Sequence, residues 1–311
     1  MNYKLTAFIL WISISLNAQH FSGEIEYEMK IIPKKENLNL DSLWALKPGK
    51  KAKYLITSNF YKSTYFNDDI ETYSYTYDNV SKKMYDDQAS QPYITFRDSR
   101  RANFQYGKSE VNRDSLVNIL GMDCFMVKYE SEYGNSTTYY SNDIKVDYET
   151  FKDHQVGNWY NKLKEVDGCI TLKTITEFPD YYEIQEAVKI TPMELNHKDF
   201  ELNMDKIIVA SYSALDKNVE LIQPNQESIN CYVAKHKLGL AKKDVNESIT
   251  CYLSFVINKN GELSYLQPVE DTYDELNDIA IDILKNCGFK FTPGEIDGIT
   301  VSSLAYFPIE F

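Results

Sequence analysis

The chain of 311 residues is poor in proline and glycine, with nine and twelve residues, and the prolines are scattered. The lack of a Pro-rich block excludes the stiff, extended spacer that would carry a domain across a periplasm. Beyond the N-terminus no apolar run approaches the ~20 residues that a bilayer-spanning helix needs. None of the four histidines (His20, His154, His197 and His236) has another His, a Cys or a carboxylate at metal-ligand spacing. They are therefore read as surface residues, and no metal or other cofactor is expected. A CxxC pair, a Gly-x-Ser-x-Gly elbow, a P-loop and a Gly-x-Gly-x-x-Gly turn are all absent. No catalytic residue is assigned, and the chain is read as non-enzymatic. Positive charge is in deficit as well. Lys and Arg number 33 against 46 Asp and Glu, a net of −13, which repels nucleic acid and anionic lipid surfaces.

What is present first is an export signal. Lys4 and the amino group give a short positive region, Leu5 to Leu16 is almost uncharged and apolar, and Ala18 offers the small residue of a cleavage site. The apolar run, about 12 residues, is too short for a membrane anchor. Residues 1–18 are expected to be a cleavable signal peptide, leaving a periplasmic or secreted protein with no transmembrane span. No cysteine stands at the cleavage point, which argues against a lipid anchor. Export places the five cysteines where disulfides persist. Cys124 and Cys169 are the only possible pair in the first part of the chain. A bridge between them and two buried free thiols are the two readings. Among Cys231, Cys251 and Cys287 no pair is chosen.

There are 25 Tyr and 15 Phe, residues that suit a half-buried pleated surface. In EIEYEMKI (24–31) Ile25, Tyr27, Met29 and Ile31 alternate with charged residues, the period of a strand with one buried face. Similar patterns recur at Tyr73–Tyr77, Pro92–Arg97, Phe125–Tyr129, 137–141, 168–177 and 181–190, with turn residues between them. A short helix or a loop is expected between Pro33 and Lys51, and another short helix near Asp114 to Leu120. The tyrosine rows are read as sheet covering, with a stacking groove for a sugar or lipid as the other reading. The character changes after about residue 205. ITCYLSFVI, an Asn258–Gly261 turn and a returning strand predict a hairpin. Thr272 and Glu275 then form a capping box, and Leu276, Ile279, Ala280, Ile283, Leu284 and Cys287 make a helical stripe. A last strand runs from Val301 to Phe311. The expected fold is α+β, with a mainly antiparallel β domain over 19–220 and a smaller hairpin–helix–strand domain over 221–311.

Two segments resemble known families. LSFVINKNGEL (253–263), AIDILKN (280–286) and FTPGEIDGITVSSLAYFPIEF (291–311) resemble the TonB C-terminal domain family, with Phe291 in place of the usual tryptophan and Pro293, Gly294, Gly298, Val301, Pro308, Ile309 and Phe311 matching its pattern. The resemblance implies a module that binds a short peptide by adding it as a strand to a sheet edge. The edge expected here is Ser302, Ser303, Leu304, Ala305 and Tyr306. GEIEYEMKI (23–31), GMDCFMVKYES (121–131), TTYYSNDI (137–144) and DGCITLKTIT (167–176) resemble the GLPGLI-type secreted proteins of Bacteroidetes, although the GLPGLI hexapeptide itself is absent. That resemblance implies a curved antiparallel sheet of the lipoprotein-carrier type. Together they suggest a binding or scaffold protein whose partner is an envelope protein or peptide, an outer-membrane receptor segment included. The alternatives are a TonB-type energy transducer for outer-membrane transport and an envelope enzyme whose site assembles only in three dimensions.

Overall fold

In the computed structural model, which describes residues 20–101, 107–131, 134–242, 248–269 and 274–311, alternation becomes strand. The expected signal peptide and the cap residue Thr272 lie outside the described residues. In β1 (Gly23–Pro33) Ile25, Tyr27 and Met29 are buried while the intervening glutamates stay partly exposed. α1 (Leu40–Ala45) follows, its Ser42 N–H donating to the Asn39 side chain, so the segment after Pro33 is a short helix. β2 (Lys51–Ile56), β3 (Phe60–Asn67), β4 (Ile70–Asp78), β5 (Lys83–Gln88) and β6 (Tyr93–Asp98) form an antiparallel meander. β7 (Lys108–Ile119), β8 (Met122–Ser131), β9 (Gly134–Lys145), α2 (Trp159–Glu165), β10 (Cys169–Glu177) and β11 (Tyr181–Pro192) complete the first part. β11 pairs with β1, joining the two strand series into one sheet.

The helix expected near Asp114 to Leu120 is corrected: this stretch belongs to β7 as far as Ile119. Asn112 Oδ1 accepts from the N–H groups of Asp114 and Ser115 at 3.1 and 3.0 Å. That local turn displaces the ladder by a bulge, and pairing with β8 resumes at Val117.

The second part contains β12 (Ile207–Ala210), β13 (Glu220–Leu221), α3 (Gln226–Lys242), β14 (Thr250–Ile257), β15 (Leu263–Pro268), α4 (Asp274–Asn286), β16 (Phe291–Thr292), β17 (Gly294–Ile296), β18 (Ile299–Val301) and β19 (Ser303–Glu310). The expected hairpin is β14–β15. Asn258 Oδ1 accepts from the N–H groups of Asn260 and Glu262, and Gly261 takes φ +83°. Leu276, Ala280, Ile283 and Leu284 of α4 are buried against Leu253, Phe255 and Ile309. α3 joins α4 through the Cys231–Cys287 disulfide, with Cα atoms 5.3 Å apart.

Cys124 and Cys169 are free and buried, so the bridge considered between them is not formed. Cys124 lies on β8 and Cys169 on β10, with β9 between them. Two strand spacings, about 9.5 Å, exceed the ~7 Å that a disulfide spans between Cα atoms.

The cores are separate. One gathers Ile25, Tyr54, Tyr77, Phe151 and Leu172, and the other gathers the residues around α4. The sheet is not separate. β12 runs parallel to β6 from Ile207↔Tyr93 to Ala210↔Phe96, and Ala210 also pairs with Ser303 of β19. Fifteen strands thus form one sheet, mostly antiparallel, from β15 to β7. No helix among the described residues is long and apolar enough to cross a membrane.

Candidate functional site

The sheet curls around its first core, and α2 roofs a chamber of about 340 Å³. Cross-strand register explains the space. Ser63 sits opposite both Tyr54 and Tyr75, and Tyr27 lies between Ala52 and Ala187. Small residues beside large rings leave a void where ring against ring would fill it. The facing wall is a field of hydroxyls. Thr138, Thr174 and Gln185 stand in one cross-strand row and Ser136 and Thr176 in the next.

α2 is positioned from both ends. Gly157 and Asn158 take left-handed backbone at its start. At its end the Gly168 N–H donates to Leu163 O at 2.7 Å, and Gly168 O accepts from Val146 N–H at 2.9 Å. Gly168 has φ +76°, and a Cβ there would lie 2.2 Å from Val146 O, so only glycine lets the chain close over β9. Spacings of three and four residues then put Trp159, Lys162 and Leu163 on one helix face, and all three line the chamber.

Two buried donors on this wall have no hydrogen-bond partner: Tyr54 Oη and Trp159 Nε1. Tyr54 is 6% exposed. Burial pushes the Tyr54 and Tyr75 hydroxyls well above the ordinary phenol range, which keeps them protonated. Tyr27 Oη donates to Thr171 O at 2.6 Å, leaving its own oxygen able to accept. Burial lowers Lys162 to about 8, and its Nζ lies 5.5 Å from the centre of the Tyr129 ring. Five tyrosines, Tyr27, Tyr54, Tyr75, Tyr129 and Tyr140, therefore line a cavity rather than merely cover a sheet. Among the described residues no cluster of His, Cys, Asp and Glu suits a metal.

The reading of all four histidines as surface residues is corrected for His154, which is fully buried. Its ring stacks on Tyr77 at 4.0 Å, and its Nε2 meets the Tyr61 hydroxyl. Burial pushes it down to about 3, so the ring is neutral and shares one hydrogen bond with the Tyr61 hydroxyl. His236 Nε2–H donates to Glu310 O at 2.7 Å.

The expected peptide edge is only partly open. Phe311 and Ile249 exchange both backbone bonds, at 2.7 and 3.0 Å, which fixes the parity of β19. Its odd residues bond to β14, and Leu304, Tyr306, Pro308 and Glu310 turn their backbone groups the other way. On that outer side Ser302 O accepts from Ala210 N–H at 2.8 Å and Ser303 pairs with Ala210. Ser302 and Ser303 are therefore already engaged by β12, and Glu310 O is engaged by His236. Ala305 faces β14. Tyr306 N–H and C=O and Pro308 C=O form the open stretch among the described residues. Proline fits there because its missing N–H costs the β14 ladder nothing.

No family model and no curated protein matches the chain. Among solved structures it is similar to PNGF-II. In the C2 crystal form the TM-score is 0.38 at 13% identity, covering 76% of this chain and 42% of that one. In the P21 form it is 0.36 at 11%, covering 93% and 62%. The chain thus spans less than two thirds of the length of PNGF-II. A LolA superfamily protein from Nitrosomonas europaea is matched with a TM-score of 0.27 at 8% identity, over 59% of this chain and 91% of that one. Likenesses this distant carry no argument, and the site is read from its own geometry.

Proposed function

We propose that the chain is a non-enzymatic binding protein of the cell envelope, periplasmic or secreted, that holds a small ligand between the curved sheet and α2. The observation that supports this is the pair of buried donors, Tyr54 Oη and Trp159 Nε1, left without partners on the wall of one chamber. An unpaired buried donor costs about 1–3 kcal/mol, and a guest carrying acceptors removes that cost. The test is native mass spectrometry of the exported protein after incubation with a metabolite extract of cell envelopes, beside Thr174→Trp, whose indole fills the chamber. A small-molecule adduct on the wild type that the variant lacks is expected. Identical spectra sink the reading.

A second reading concerns the C-terminal unit. The order α3, β14–β15 hairpin, α4, β19 supports the resemblance to TonB C-terminal domains. The open outer side of β19 supports strand addition by a peptide from an envelope protein, such as an outer-membrane receptor segment, over Leu304–Pro308. The bonds would be main chain, at Tyr306 and Pro308. The half-exposed Tyr306 side chain stands beside an open groove shared with Tyr73, Arg97 and Tyr212.

A further inference from the structure

Away from the chamber, we infer that a second, open groove of about 910 Å³ is a glycan site that takes a neutral oligosaccharide of two or more linked rings. The groove crosses the join between the two parts of the sheet. Its floor is built from cross-strand rows. Tyr73 sits opposite Gln88 and Asp86 opposite Thr95 in the first part, while Ser254 sits opposite both Tyr306 and Gln267 in the second.

Charge narrows the ligand first. Asp86 and Arg97 are the charged residues among those described in the lining, and they pair with each other. Beside Gln88, Lys206 donates to the Gln88 carbonyl and is paired with Asp87. Beside Ser213, Arg101 donates to the Ser213 carbonyl and is paired with Asp216. In a chain of net charge −13 the groove is thus a balanced stretch. Among the described residues neither an anion nor a cation finds a spare counter-charge there, so the field favours a neutral guest.

Hydrogen-bonding groups come next. Of the sixteen described residues in the lining, three are aliphatic, Pro268, Val269 and Leu304. The rest carry polar side-chain atoms, which an acyl chain would strand at a desolvation cost. Those atoms are held in place. Tyr73 Oη donates to Asp86 Oδ1 at 2.5 Å, Arg97 Nε donates to Asp86 Oδ2 at 3.2 Å, and Gln267 Nε2 donates to Gln91 Oε1 at 3.0 Å. These bonds orient the planar groups and leave Arg97 Nη1, Gln91 Nε2 and Gln267 Oε1 for a guest. Donors and acceptors side by side answer hydroxyls, which do both.

Ring placement is the third observation. Tyr212 is 63% exposed and Tyr306 55%. They come from different elements, the turn after β12 and β19 itself, yet open on one groove. The turn is held rigid, because Ser211 N–H donates to Phe96 O at 2.8 Å and Ala214 N–H donates to Ser211 O at 2.9 Å. The C–H side of a pyranose covers ring faces of this kind.

The floor also separates a glycan from a peptide. On the face of a sheet the strands present side chains and keep their N–H and C=O groups in the ladder. An extended peptide is read mainly through its backbone and finds little there to pair with, whereas a glycan is read through hydroxyls and ring faces. Size agrees. The groove lies near the top of the ~300–1,000 Å³ of small-molecule sites and is well over twice the chamber in volume, more room than a single pyranose fills.

The test is an array of neutral and acidic oligosaccharides of one to six rings, probed with the fluorescently labelled full exported protein. Calorimetric titration with the best-retained member follows. The wild type is compared with Tyr212→Ala, Tyr306→Ala and Gln88→Ala, each checked for native circular dichroism. All three side chains are exposed, so the fold survives their loss. Neutral members of two or more rings should be retained over single rings and over acidic members. Binding should weaken by about tenfold in each tyrosine variant and by a few-fold in Gln88→Ala. An array that retains no neutral oligosaccharide overturns the assignment, and so does retention of acidic members alone. Affinity unchanged in both tyrosine variants overturns it as well. Affinity lost in Thr174→Trp but kept in the tyrosine variants places the glycan in the chamber and overturns the groove. A parallel array of peptides covers the rival occupant: peptides retained through Tyr212 while glycans are not would make the groove a peptide site and sink the proposal.

Discussion

His154 and Lys162 are two buried bases whose charged forms the fold disfavours, and each makes a prediction with a definite sign. His154 is held at about 3 by burial, against 6.5 for an ordinary imidazole. Below pH 6.5 the unfolded chain takes up a proton that the folded chain refuses until about pH 3. Stability is therefore lost as pH falls through that window, by up to ~1.4 kcal/mol per pH unit. His154→Gln, which keeps a hydrogen-bonding group for Tyr61, should show a flatter slope between pH 6 and 4 in urea titrations. An unchanged slope would acquit His154. Lys162, lowered to about 8 from 10.5, carries its full burial cost below pH 8 and sheds it between 8 and 10.5. Ligand-free Lys162→Met should therefore be more stable than wild type at pH 7, by roughly 1–3 kcal/mol, and the gap should shrink by pH 10. The three free thiols, Cys124, Cys169 and Cys251, are buried, and burial raises each of them. A thiol reagent should find them only after unfolding. The buried free thiols at Cys124 and Cys169 were one of the two readings of the sequence, but the burial of His154 and Lys162 was not legible there. His154 lies between elements, and no periodicity marks a ring that stacks on Tyr77.

Among elements, β19 shows how much strand parity matters. Ala305 turns its N–H to β14, so Ala305→Pro would break the domain's own ladder and report nothing about a partner. Tyr306→Pro removes an outward N–H and leaves that ladder intact. If a peptide adds there, Tyr306→Pro should keep the wild-type melting curve yet weaken capture of the peptide at least tenfold, and equal capture would rule the edge out. The α3–α4 pair makes a second case. Replacing Cys231 and Cys287 by serine should cost about 2–4 kcal/mol and free α3 first, seen as loss of amide-exchange protection over Gln226–Lys242. β1, β4, β6, β8 to β11, the β14–β15 hairpin, β19 and the α4 stripe were legible because their periods are regular, while β2, β3 and β5 went unread and part of β7 was expected to be a helix. α2 was not legible, because Trp159 and Leu163 give a seven-residue helix a single apolar repeat. α3 was not either, because Ile229, Val233, Leu238 and Leu240 all remain exposed and blur the stripe. The chamber depends on which tyrosine meets Ser63 across the sheet, and that is a matter of register, which alternation along one strand does not reveal.

For the whole molecule the decisive fact is two cores on one sheet. The join comprises the pair of Ala210 with Ser303, a buried cluster of Tyr93, Val209, Val256 and Leu304, and a second in which Phe96, Ala214, Leu215, Ile296 and Val301 pack around Ala210. Val209→Ala should cost ~2 kcal/mol and, because the loss falls at the join, should split a single thermal transition into two. A single transition lowered in Tm would mean the parts are coupled elsewhere. The division into a β part and a smaller C-terminal part was read from the change in pattern near residue 205, but the continuity between them was not. Parallel pairing of a four-residue strand with partners far away in sequence leaves no local mark. That pairing also imposes a timetable. About ninety residues separate Ala210 from Ser303, so a chain emerging N-terminus first completes the eleven strand pairings from β12 to β7 while the outer side of β12 still waits for its mate. During that interval the unfinished margin is available to any extended segment nearby, which makes it the natural place for a holding chaperone to act and the point where crowded export would first show up as aggregation.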